Sequence, residues 1–347
     1  MACDVTSYSD ATPPSLTLAS GETLTADVIV ACDGIKSLAR HLVLGARDDP
    51  VSSGYACFRA YFEPSPAMRA DPARNAFLGE DSVNFWIGPD VHVVQNTLRG
   101  GREFNWYVSE VPFVWRQVNE QNGERGVEAL IRSNRILTHK DDGDVPESWF
   151  QPGNMDEVRR LVADIDPAIR EAIKSTEQCL DWKICYRTPL PTWVSPQSHS
   201  IVLLGDSCHA HLPTSAQGAS QATESAGVLA VCLGMVGRDE VSVATRAYEK
   251  LRFPRIRVSQ THGEDLRDRW HNVLKRVGDN VEIDPEMVKI KVSRCMLTRE
   301  RCVTDVLYQN RPLYAFDSEQ DARERWEEVS SRVRDEFAKG KIEPLCE

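Results

Sequence analysis

Residues 200–230 read SIVLLGDSCHAHLPTSAQGASQATESAGVLA, and this stretch decides the fold. An apolar run ends at Gly205-Asp206, a loop with His209, His211 and Pro213 follows, and a small-residue helix is expected from about Gly218 to about residue 238. A strand, a tight turn and a helix in that order form a ligand-binding junction of the α/β type. Gly205 lets the backbone turn sharply beside a ligand. Asp206, at the carboxyl end of the strand, can accept hydrogen bonds from sugar-like hydroxyls. The helix start at Gly218-Ala219-Ser220 presents unpaired N–H groups and the positive end of the dipole, which suits a phosphate or a ring that gathers negative charge. Gly218, Ala222, Ala226 and Ala230 recur every fourth residue, so one helix face can pack closely.

Working outward, Leu16 and Leu18 alternate, Ser20-Gly21 turns the chain, and residues 26–31 read as a buried strand ended by Asp33-Gly34. Residues 35–45 read as a short helix or turn. Between 54 and 112, aromatic and β-branched segments broken by Gly-Pro and Gly-Gly predict a mostly antiparallel sheet, and 117–152 read as edge loops. Residues 156–174 have helical spacing with a restart at Pro167. Residues 179–194 read as a strand entering a proline-rich loop before the opening stretch. Residues 243–275 read as a helix of mixed charge, and 319–339 as a charged, solvated terminal helix.

The 347 residues suffice for two domains. Lys plus Arg number 41 and Asp plus Glu 52, a net charge of −11, which argues against nucleic acid or an anionic membrane surface as partner. The longest uncharged apolar segment, 226–237, has 12 residues against about 20 needed to span a bilayer. Ten cysteines without repeated spacing read as reduced thiols in a cytoplasmic protein. Cys208, His209 and His211 lack a fourth ligand nearby, so no metal is expected. Oligomeric state is not readable from the sequence.

The 203–230 segment resembles the Gly-Asp motif of FAD-dependent aromatic hydroxylases, the salicylate-hydroxylase-like group of flavoprotein monooxygenases. ADVIVACDGIKSLAR (26–40) resembles that family's Asp-Gly motif, GYACFRAYF (54–62) its flavin-side arginine strand, and WKICYRTPLPTW (182–193) the segment preceding the Gly-Asp motif. YEKLRFPRIRVSQ (248–260) and RPLYAFD (311–317) resemble the later helix and the C-terminal end. The ordered similarity covers residues 4–317.

The resemblance implies an α/β (α+β) fold: an incomplete, three-layer Rossmann-like FAD-binding domain, a mostly antiparallel β-sheet substrate domain, and C-terminal helices. Residues 1–50 and 180–260 would form the partial FAD-binding domain, 51–179 the substrate domain with connecting helices, and 261–347 a C-terminal helical region. FAD would be held by Gly205 and Asp206 (ribityl chain), Gly218 and Ala219 (pyrimidine edge), Pro213 (loop over the ring), and Asp33 and Arg40, on a surface shared with NAD(P)H. Arg59 would be the catalytic residue. The implied reaction uses NAD(P)H and O2 to hydroxylate or epoxidise a small organic substrate, aromatic or of secondary metabolism, through a flavin hydroperoxide.

The pattern departs from the family in places. No G-x-G-x-x-G turn occurs, so the unit that carries the ADP half of FAD is not within these residues, and the chain reads as an N-terminally truncated relative. Ser207-Cys208-His209-Ala210-His211 replaces the usual loop, Glu224-Ser225 the usual Glu-Asp, and Asn96-Thr97 a Tyr-Pro pair. The alternative reading is a non-catalytic remnant or gene-model fragment acting as a binding protein.

Overall fold

The structure, a computed structural model, describes residues 3–72, 75, 78, 81–88, 91–110, 150–163, 165–213, 216–271, 313 and 315–346. The expected loops at 117–149 lie outside these residues. The chain divides into two compact units, one of Met1–Val51, Tyr186–Leu266 and Asp305–Glu347, the other of Ser52–Cys185 and Arg267–Thr304.

In the first unit, β1 (Val5–Ser9), β2 (Ser15–Leu18) and β3 (Thr23–Thr25) form an antiparallel meander. β4 (Ile29–Ala31) pairs in parallel with β10 (Ile201–Leu203), Val30 opposite Val202. Ile201, Val202 and Leu203 are all buried, as expected for a strand covered on both faces. The short helices α1 (Ala39–Leu44) and α5 (Asp206–His209) follow these two strands. The long helices α6 (Gly218–Gly234), α7 (Val241–His271) and α8 (Ser318–Lys339) complete the unit.

Its core gathers Leu203, Trp193, Val228, Tyr248, Leu251 and Trp326. The small residues of α6 face both ways, as close packing requires. A Cβ on Gly227 would come within 3.0 Å of Glu319 on α8, and a Cβ on Gly205 would meet that of Ala222 at 3.4 Å. Residues 319–339, expected as a solvated helix, instead bury Ala322, Trp326, Val329 and Val333 against this core. Their apolar side chains recur at helical spacing among many charges, and the charges masked that stripe in the sequence.

In the second unit, β5 (Val51–Phe62), β6 (Ser82–Gly88), β7 (Val91–Leu98), β8 (Glu103–Glu110) and β9 (Leu180–Tyr186) form one sheet in the order β6-β7-β8-β5-β9. The pairs β6/β7, β7/β8 and β5/β8 are antiparallel. After β5 comes a five-residue helix, α2 (Pro66–Ala70).

Two helices lie on one face of the sheet. α3 (Met155–Leu161) is capped by Asn154 Oδ1, which accepts from Asp156 N at 3.0 Å and Glu157 N at 3.3 Å. α4 (Pro167–Lys174) starts at a proline behind Asp166, whose carboxylate accepts from Ala168 N at 2.8 Å. Phe58, Trp106 and Val108 from the strands meet Val158, Ile169 and Ile173 from these helices. The Trp106 indole donates to Thr176 Oγ1 at 3.0 Å, which satisfies its buried polar edge.

Candidate active site

The first unit brings both sequence motifs to one place. β4 and β10 end side by side, and the Ala31 carbonyl accepts from Leu204 N at 3.1 Å and from the Ser207 hydroxyl at 2.8 Å. Cys32-Asp33-Gly34 and Gly205-Asp206 therefore leave the carboxyl ends of adjacent parallel strands, where open α/β sheets bind ligands. Gly205 has φ +72° and ψ −142°, a conformation open essentially to glycine.

Asp206 follows with an exposed carboxylate and no hydrogen-bond or ion-pair partner among the described residues. Partial desolvation pushes its pKa up, so the carboxylate is held at some cost and gains from a donor.

α6 opens at Gly218 without a side-chain cap and without an acidic residue in its first turn. Its first N–H groups thus keep their donor capacity, beside exposed Ala219 and Ser220. Pro213 is exposed in the loop before it, its carbonyl accepting from Ala216 N at 2.9 Å.

Asp33 and Arg40 make contacts within the protein. Asp33 Oδ2 accepts from Leu38 N at 3.0 Å, Ala39 N at 3.4 Å and the Tyr8 hydroxyl at 3.3 Å, so it ties the turn to α1 and to β1. Arg40 is fully buried. It pairs with Asp48 and donates to the carbonyls of Thr188 at 2.6 Å and Ser207 at 3.3 Å. Arg187, also buried, donates to the carbonyl of Ile35 at 2.8 Å and lies 3.3 Å from Asp48 Oδ2. The Arg40–Asp48–Arg187 cluster couples the Asp-Gly segment to the Gly-Asp turn.

Beneath the turn lies a buried polar network that the sequence reading did not assemble. Arg252 on α7 donates to Ser225 Oγ at 3.1 Å, Glu224 Oε2 at 2.9 Å and Gln221 Oε1 at 2.7 Å. Arg255 donates to both oxygens of Glu224, at 2.6 and 2.7 Å. Burial alone would raise the Glu224 pKa, but the Arg255 hydrogen bond and the two guanidinium charges hold it below the usual range.

His209 Nε2 lies 3.0 Å from Ser225 Oγ. Arg252 can only donate, so Ser225 Oγ accepts from it and links the guanidinium to the His209 ring. Burial, then the neighbouring His211, pushes the His209 pKa down to about 3. Burial pushes His211 down to about 4. The two rings meet edge-on at 5.7 Å, and His209 also touches Trp193 at 5.5 Å. The signal in the sequence was the spacing of Arg252 and Arg255, three residues apart on a helix, which can clamp one carboxylate. Nothing local says that the carboxylate is Glu224.

Arg59 lies in the second unit, on β5, with its guanidinium 4.6 Å from the centroid of the Trp182 ring. No hydrogen bond or ion pair of Arg59 occurs among the described residues. In that set no three or more His, Cys, Asp or Glu side chains cluster to hold a metal ion, and no helix is long and apolar enough to cross a membrane.

A parallel pair ending in two turns, one of them packed on a helix with an uncapped start, together with a separate sheet unit, defines an α/β protein with a second, sheet-built unit. No family model matches the chain. Similar proteins narrow the class.

The FAD-dependent monooxygenase okaB of Penicillium ochrochloron is 30% identical over 297 residues, 82% of this chain and 58% of that protein. The asperlicin C monooxygenase of Petromyces alliaceus is 28% identical over 299 residues, 84% of this chain and 58% of that protein. The crystal structure of CtdE with FAD and a substrate superposes with a TM-score of 0.71 at 25% identity, over 96% of this chain and 70% of that one. A salicylate hydroxylase substrate complex has the same fold, with a TM-score of 0.66 at 21% identity over 94% and 70%. The chain belongs to the FAD-dependent monooxygenase family. It spans 58% of the length of each of those two curated relatives.

Proposed function

We propose that this chain forms the flavin-ring side and the substrate side of an FAD-dependent monooxygenase that uses NAD(P)H and O2 to hydroxylate or epoxidise a small organic substrate. The observation that carries this reading is the Asp206 carboxylate, without a partner among the described residues, on a turn that packs against Ala222 of α6, a helix whose start is uncapped. That donor and acceptor set fits FAD. The carboxylate would hold hydroxyls of the ribityl chain, and the N–H groups at Gly218 and Ala219 would hold the electron-rich part of the ring. Bound FAD, once reduced, supplies the activation of O2.

The protein's own residues bind, orient and neutralise. The α6 dipole stabilises negative charge on the bound ring without proton transfer. Pro213 shapes the loop over the ring. Asp33 and Arg40 act as positioning residues, because their side chains hold the two turns rather than offer free donors or acceptors. Arg59 keeps its donor fork for an oxygen of the substrate, with Trp182 holding the guanidinium plane.

The test is titration of the purified chain with FAD, followed by flavin absorbance and by bleaching with NADH or NADPH. Uptake and bleaching are expected. A chain that takes up no FAD ends the catalytic reading for these residues. A binding role without catalysis is the second reading, favoured by the short β4–β10 pair, where Val30 is 39% exposed.

A further inference from the structure

The Arg252 guanidinium is buried against the first turn of α6, with the residue only 1% exposed. Its Nη2 donates to Gln221, to Oε1 at 2.7 Å and to the carbonyl at 3.3 Å, and its Nη1 donates to Glu224 Oε2 at 2.9 Å. Its Nε donates to Ser225 Oγ at 3.1 Å, a contact that carries no balancing charge. Gln221 is fully buried, and its Nε2 lies 3.3 Å from Oε1 of Gln217, the residue just before the helix.

The order of these charges along α6 sets a sign. The guanidinium reaches Gln221, whereas the Glu224 carboxylate that answers it stands about 4.5 Å further along the helix. Arg255 draws on the same carboxylate, at 2.6 and 2.7 Å. The positive end of the cluster therefore points to the helix start and adds to the helix dipole, itself worth about half a charge. The loop histidines do not oppose it: with pKa values of about 3 and about 4, His209 and His211 are neutral at pH 8. Arg257, whose charge reaches His211, has the same sign as Arg252. By helix rise, a charge at Gln221 to Ser225 stands about 10 Å from a ring held at Gly218. At an effective dielectric constant of about 20, one unit charge over that distance is worth roughly tenfold in an equilibrium.

We propose that Arg252 acts from behind α6 as a fixed positive charge that makes bound FAD easier to reduce. It stabilises the negative charge that the ring gains, without touching the ring. This rests on reading the start of α6 as the flavin-ring side.

The experiment is the reduction potential of FAD bound to the purified chain at pH 8, read against a reference dye, in variants that change the charge in opposite directions. Ser225→Asp sets a carboxylate against Arg252 and should weaken the preference for reduced over oxidised FAD roughly tenfold, a shift of about 30 mV toward harder reduction. Glu224→Gln removes the opposing charge and should move the potential the other way by a similar factor. Gln221→Glu, which keeps the shape of the side chain, repeats the first shift if Ser225→Asp does not fold. A loosened packing contact does not give shifts whose sign follows the charge. Potentials within about twofold of the parent preference, shifts in the same direction in both kinds of variant, or FAD held by the parent and lost from the variants overturn the inference and leave the FAD site standing. A parent chain that takes up no FAD ends the reading of that site, and this inference with it.

Discussion

In the proposed reading, Asp206 serves the ligand at a cost to folding. Its carboxylate is partly desolvated without a partner, and its raised pKa means that the charged form is penalised when folded. Asp206→Asn should therefore leave the melting temperature of the ligand-free chain unchanged or higher at pH 7. It should weaken FAD binding by about tenfold to a hundredfold, the range for a hydrogen bond to a charged group. Fluorescence titration and thermal melts of one preparation measure both, and equal loss of stability and binding would make Asp206 merely structural.

The histidines give a pH signature of definite sign. His209 and His211 have folded pKa values of about 3 and about 4, below the unfolded value of 6.5, so the unfolded chain binds more protons in that window. Their contribution is whole above pH 6.5 and drains away as the pH falls toward 3 to 4. At pH 5.5 each costs about 1.4 kcal/mol. His211→Gln should flatten that decline by about half in urea melts at pH 7.5 and 5.5. Glu249 works the other way. Burial, partly offset by Arg246, raises its pKa to about 7, so its penalty is absent at low pH and grows as the pH rises from 4.5 through 7. Glu249→Gln should remove that opposing slope, and an unchanged pH profile would refute the assignment.

Among the elements, α6 and α7 are joined by polar groups as much as by packing. Glu224 is gripped by Arg252 and Arg255, with Arg252 almost wholly buried. Arg252→Met keeps the volume but leaves Glu224 with only Arg255 and Gln221 as donors and Ser225 without its guanidinium, and should destabilise the chain by about 3 kcal/mol in denaturant. Arg252→Lys, which keeps a cation beside Glu224, should lose less. Equal loss in the two variants would place the effect in packing alone.

The same elements show what could be read in advance. The starts of α4 and α6 were legible, since Pro167 and Gly218 act within one turn of their own positions. The buried stripe of α8 was obscured by its charged residues, and the register of β1 comes from pairing with β2, because VTSYS has no apolar alternation.

At the scale of the whole molecule, the first unit is assembled from three separated segments, and the C-terminal residues close it. Leu345 N donates to the Pro191 carbonyl at 2.7 Å, and Arg246 donates to the Glu343 carbonyl at 3.1 Å. Asp305–Glu347 belongs with the first compact unit. Removing residues 341–347 should lower the melting temperature and expose the proline-rich loop at 188–194 to limited proteolysis. An unchanged cleavage pattern would rule out that support.

The sequence by itself determined the strand–turn–helix junction at Gly205, the mostly antiparallel sheet and the family resemblance. These depend on backbone requirements and alternation that act over a few residues. Tertiary structure alone decided that Arg40 is buried between two turns, that Arg252 orders His209 through Ser225, and that Asn96 faces Asn105 across two strands. Each joins residues brought together only by strand pairing or helix packing, and no local preference of the chain encodes the partner.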